Sequence, residues 1–129
     1  MREIKFRGKR IAGEGEWVYG YLVKQFGVHK IYDDSKEDFG DWIYEVDPET
    51  IGQYTELKDE YGNEIYEGDI VEVKDHYPAG VSMFTGVVMF DNGSFMIKSD
   101  IGAHYRWLDY EAEVLGNIFD NPELLEVEQ

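Results

Sequence analysis

Nucleophilic catalysis needs a nucleophile, a base within hydrogen-bond reach of it, and a group that orients the base. The side chains with that chemistry are the histidines His29, His76 and His104 and the serines Ser35, Ser82, Ser94 and Ser99; the chain has no cysteine. They are dispersed, and no GxSxG elbow surrounds any serine, so each histidine is expected to be solvated or at the edge of a core. Metal binding would draw on the acidic run Asp33, Asp34, Glu37, Asp38 and Asp41, or on Asp75-His76. Calcium takes about six to eight oxygens from a sharply turning loop. Here Lys36 falls at a ligand position and the central glycine is missing, so the run reads as a solvated loop. A zinc protease helix would need two histidines one turn apart, which the chain lacks. Glycines at 13, 15, 62, 68, 86, 93, 102 and 116 form neither a Walker loop nor a dinucleotide fingerprint. No catalytic residue, metal ligand or cofactor is expected, and the chain is read as no enzyme.

Binding chemistry is better represented. Aromatic residues make up 16% of the chain, with ten tyrosines. Small barrels bind peptides or single strands on aromatic platforms, but a core or a subunit interface needs the same residues. Trp17, Tyr19 and Tyr21 alternate along one strand face, and core and interface are the expected roles there. Tyr54, Tyr66 and Trp107 fit either role. Residues 1–10 hold five basic side chains (Arg2, Lys5, Arg7, Lys9, Arg10) against Glu3, a net +4, while the rest holds 7 basic and 27 acidic residues, a net −20. An acidic body of that size repels nucleic acid at long range, which directs the basic start toward protein, its own or a neighbour's. Lys5, Arg7, Lys9, Arg10, Trp17, Tyr19 and Tyr21 together form the candidate interaction surface.

The elements that position these residues are strands. Ile4 and Phe6 alternate with Glu3, Lys5 and Arg7 in a first strand; Trp17 to Val23 is a second. Gly20, on the face opposite Trp17, marks a bulge or a close backbone crossing. His29 to Tyr32 pairs with the second strand across Gln25-Phe26-Gly27, and Trp42 to Val46 stops at Asp47-Pro48 because proline cannot donate to a ladder. Thr50 to Tyr54 leads into YTELKDEYGNEIYEGDIVEVK, Tyr54 to Lys74, where Gly68-Asp69 breaks two apolar segments as a structural turn. His76 to Gly80 is a loop. Gly86 to Phe90 and Ser94 to Ile97 flank Asp91-Asn92-Gly93, a strong hairpin signal. Asp100 to Glu111 reads as loop with one helical turn near Trp107-Leu108, and Glu113 to Phe119 is a last strand. Asn121-Pro122-Glu123 predicts a short C-terminal helix with Asn121 as its N-cap. The pattern is all-β with little helix, a barrel or roll.

With 129 residues and 43% hydrophobic content, the chain can bury a sizeable core as one domain or two subdomains. The absence of cysteine excludes disulfides, and no apolar run approaches the roughly 20 residues that span a bilayer. A soluble cytosolic protein is expected, with no membrane contact.

Four blocks occur in an order that resembles the YopX family: MREIKFRGKR, GEWVYGYLV, IGQYTELKDEYGNEIYEGDIVEV and EVLGNIFDNPELL. That family consists mainly of bacteriophage and prophage proteins. The resemblance implies an all-β protein with an SH3-like barrel over residues 55–129 and a β subdomain over residues 1–54 packed on it; it brings no established catalytic or binding residues. Two departures stand out: family members often carry glycine where this chain has Glu56, and Asn-Gly where it has Tyr61-Gly62. The expected function is that of a phage or prophage accessory protein that binds another protein or assembles as a homo-oligomer. The alternatives are nucleic-acid association through the basic N-terminal strand and a metal-dependent hydrolase or nuclease.

Overall fold

The computed structural model describes residues 4–33, 42–77, 80–105 and 111–125, with backbone alone at 75–77 and at 81 and 82. Strands dominate, and no α-helix occurs among the described residues. The chain divides into two compact units, Met1–Glu56 and Leu57–Gln129.

The first unit holds β1 (Phe6–Lys9), β2 (Trp17–Gln25), β3 (Val28–Tyr32), β4 (Ile43–Glu45) and most of β5 (Gly52–Lys58), in the antiparallel order β4-β3-β2-β1-β5. Beyond β4 the chain returns to β1: Val46 bridges Arg10, the Asp47 N–H donates to the Lys9 carbonyl (2.8 Å) and the Ile11 N–H to the Glu45 carbonyl (3.1 Å). The sheet thus curls on itself and satisfies backbone groups that an open edge would expose. Val18, Ile31 and Val46 fill the curl, with Phe6, Leu22, Tyr44 and Ile51 packed against them. Gly20 is required there, because a Cβ would collide with the Tyr32 carbonyl. A 3-10 turn at Pro48–Thr50, capped by the Asp47 carboxylate on the Glu49 N–H (3.0 Å), interrupts the stretch that the sequence suggests is extended from Thr50.

The second unit contains β6 (Glu64–Tyr66) and the antiparallel sheet β10-β9-β8-β7-β11, made of β7 (Asp69–Tyr77), β8 (Gly80–Asp91), β9 (Ser94–Ser99), β10 (Gly102–His104) and β11 (Glu111–Asn117). Ile65, Val71, Val73, Val88, Ile97 and Ala112 form its core. Tyr54 of the first unit and Tyr66 of the second are both buried. β7 and β8 extend through His76-Tyr77 and from Gly80, where the sequence suggests loop, and β10 was not expected at all. The C-terminal helix is instead a four-residue 3-10 turn, Pro122–Leu125. Asn121 turns its Oδ1 back to accept from the Asn117 N–H (3.3 Å), and Asn117 in turn accepts from the amides of Phe119 and Asp120. The side-chain oxygen suited to an N-cap is thereby engaged upstream. Trp107-Leu108 lies outside the described residues.

Candidate functional site

Two hairpins with the same turn geometry differ in one telling residue. β2 and β3 are joined by Phe26-Gly27 (φ 53 and 77) between the paired Gln25 and Val28. β8 and β9 are joined by Asn92-Gly93 (φ 52 and 81) between the paired Asp91 and Ser94. Two-residue loops with φ positive at both positions favour Asn-Gly, because asparagine and glycine tolerate the left-handed region. The second hairpin uses that pair. The first places a phenylalanine there, 95% exposed at its tip.

The strands behind this tip extend the same chemistry. In β2 the buried side chains are those of Val18 and, half-buried, Leu22, whereas Tyr19, Tyr21 and Val23 face outward and are exposed. The Trp17–Val23 aromatic face is therefore no core face, as the alternation alone suggested; the curl of the sheet buries the opposite side. Opposed residues in an antiparallel pair share a face, so Tyr21, Tyr32 and Ile43 line up in register across β2, β3 and β4. Tyr32 and Ile43 are exposed as well.

The basic N-terminal residues border this surface without projecting freely from it. The Arg7 guanidinium lies 4.6 Å from the Trp17 ring centroid and Lys9 Nζ lies 5.5 Å from it. Lys5 Nζ sits 5.2 Å over Tyr54, and Arg10 lies 4.5 Å from the Tyr44 ring and 3.9 Å from Glu16. Such contacts contribute roughly 0.5–2 kcal/mol each, more when desolvated. Arg7 is only 6% exposed, so little of its charge is presented to a ligand. Arg2 lies outside the described residues.

Among the described residues, Ser99 and His104 are the sequence-dispersed candidates for catalysis that come together. Ser99 Oγ and His104 Nε2 are 2.9 Å apart, with His104 stacked on Phe84 at 4.0 Å. Ser99 Oγ also accepts from the Ile101 N–H (3.3 Å) and meets the Gly102 carbonyl (3.4 Å), so the pair ties the β9–β10 turn together. It borders a groove of about 670 Å³ lined by Met83, Phe84, Val87, Lys98, Ile101 and Leu124 among others. No group of three or more metal-ligating side chains occurs among the described residues. Of the acidic run only Asp33 is described, and the side chains of Asp75 and His76 are not.

Two carboxylates organise turns. The Gly68 N–H donates to the Val88 carbonyl (2.8 Å) and its carbonyl accepts from Ile118 (3.0 Å), with φ 94 at Gly68; buried Asp69 accepts from the Tyr66 N–H at 2.7 Å. Asp59, also buried, accepts from the amides of Tyr61 (3.0 Å), Asn63 (2.8 Å) and Val114 (3.0 Å) and from the Asn63 side chain (3.1 Å). Burial pushes its pKa up, but the hydrogen bonds from Val114, Asn63 and Tyr61 outweigh this and hold it below the ordinary carboxylate value.

With this geometry established, the chain matches the YopX protein family over residues 5–126. The chain belongs to the YopX family. Its fold is similar to the crystal structure of protein EF1440 from Enterococcus faecalis, at 24% identity and a TM-score of 0.52, covering 98% of this chain and 100% of that one. No curated protein matches it. For the YopX chain, the surface that sequence reasoning missed is the Phe26 tip and the Tyr32–Ile43 extension of the aromatic row. The signal was a bulky residue at the first position of a two-residue hairpin turn.

Proposed function

We propose that this YopX protein is a phage- or prophage-encoded module of the bacterial cytoplasm that binds protein and performs no chemistry of its own. The observation that carries the reading is Phe26: an aromatic ring at a hairpin tip, in a backbone conformation that asparagine would occupy at lower cost, beside a sheet face of outward tyrosines. Exposed apolar groups of this kind mark protein contact sites. The stacking of Lys5, Arg7, Lys9 and Arg10 on the protein's own aromatics favours protein contact over nucleic-acid contact through this segment. The test is comparative capture from the host with wild type and Phe26→Asn, followed by rebinding of the captured protein in purified form. A purified partner that binds both proteins equally well removes the reading. A small hydrolase is the second reading, supported by the Ser99–His104 contact. Labelling of Ser99 by a fluorophosphonate, abolished by His104→Gln, would bring it forward.

A further inference from the structure

We propose that the outer face of β2, β3 and β4 is a contact surface between two copies of this chain. The proposal rests on the protein-binding reading above and names the partner. Tyr19, Tyr21, Val23, Tyr32 and Ile43 form one continuous outward patch, each between 41% and 54% exposed. Their combined exposed area, tyrosine hydroxyls included, is on the order of 500 Å², within the range of the largest patch that a monomer leaves in water. With its polar margin it approaches the roughly 800 Å² per partner of a specific interface.

Charge decides what covers it. The chain carries −16, so most approaches of two copies set acid against acid. The patch is different. One margin across the strands is Val23, Lys30 and Glu45, in register, with one cation and one anion; the other carries Arg7 opposite Tyr19 and Lys9 opposite Trp17, both lying on the Trp17 ring. Two copies meeting here face apolar side chains with no net acid at the margins, while their acidic remainder stays outside the contact. Tyrosine suits this role, since its rings pack on a partner and its hydroxyls remain hydrated. The resulting contact has a salt dependence opposite to that of charge-driven docking. Residual repulsion between the two acidic bodies is screened as salt rises, and apolar burial is not weakened.

Sedimentation velocity on the full chain at 50 and 500 mM NaCl tests this. The expected result is a monomer–dimer equilibrium that tightens about threefold or more at the higher salt. Tyr21→Ser with Tyr32→Ser should weaken it by about tenfold or more while the far-UV circular dichroism spectrum stays that of the folded chain. Because the chain has no cysteine, Tyr32→Cys supplies an independent readout. Mild oxidation should yield a disulfide-linked dimer from Tyr32→Cys and none from a Lys98→Cys control on the second unit. Monomer at every concentration and both salts overturns the self-contact, while the Phe26-dependent capture above still decides the protein-binding reading. Association that weakens with salt overturns it too, as does equal cross-linking from both positions, or association that appears only with added oligonucleotide.

Discussion

Phe26, Glu56 and Asn92 are the non-glycine residues with positive φ among the described residues, at 53, 71 and 52. Asparagine is at home in that region; phenylalanine and glutamate are not, at about 1 kcal/mol or more each. Phe26→Asn is therefore expected to raise stability by about 0.5–1 kcal/mol in denaturant unfolding while lowering partner capture, a pairing that a purely structural role would not produce. Glu56→Gly should raise stability by about 0.5 kcal/mol, because at φ 71 the relief of strain exceeds the extra entropy of a glycine. Asp59 acts in the other direction. Asp59→Ala leaves three backbone donors without their acceptor and should cost about 2 kcal/mol or more at neutral pH. The folded pKa of Asp59 is lowered, so its contribution is complete above the unfolded pKa and is lost as pH falls through the folded value. The gap between wild type and Asp59→Ala should accordingly narrow in acid, measured as thermal midpoints from pH 7 downward.

At the scale of elements, the turns were legible and the faces were not. Asn92-Gly93 declared its hairpin in the sequence because few residues tolerate two successive positive φ values. Gly68-Asp69 was legible for a related reason, and Gly68→Val should destabilise by more than about 1 kcal/mol, read from thermal unfolding, since φ 94 is open mainly to glycine. Gly20→Ala should be at least as damaging, because the added methyl meets backbone and no flexible side chain can yield. Which side of β2 is buried could not be read from alternation: Trp17, Tyr19, Tyr21 and Val23 are the more hydrophobic set, yet Val18, Gly20 and Leu22 face the core. The reason is the curl from β1 to Val46, whose interior is filled by Val18, Ile31 and Val46 with Phe6, Leu22, Tyr44 and Ile51 against them, and which leaves the Tyr19–Tyr21–Val23 side of β2 outside. The C-terminal segment likewise followed a local competition, with the Asn121 oxygen engaged by the Asn117 amide.

For the whole molecule, charge is the dominant quantity. At −16, and with Arg7 buried, the chain should show no tight binding to duplex DNA at about 0.15 M salt. A salt titration of retention on mixed-sequence duplex checks this; sub-micromolar affinity lost on Arg7→Glu would instead assign the basic strand to phosphate. No helix among the described residues is long and apolar enough to cross a membrane. Strand patterning and turn chemistry were enough to determine the strand-rich fold and several turn positions, because backbone sterics are a property of the chain itself; the family was legible only in the four ordered blocks that resemble it. The tertiary structure decided the rest. It set which face of β2 meets water, brought Tyr32 and Ile43 beside Tyr21, placed Ser99 against His104, and stacked the basic residues on Trp17, Tyr44 and Tyr54. Each of these joins positions separated in sequence, and only strand register and the closure of the sheet bring them together.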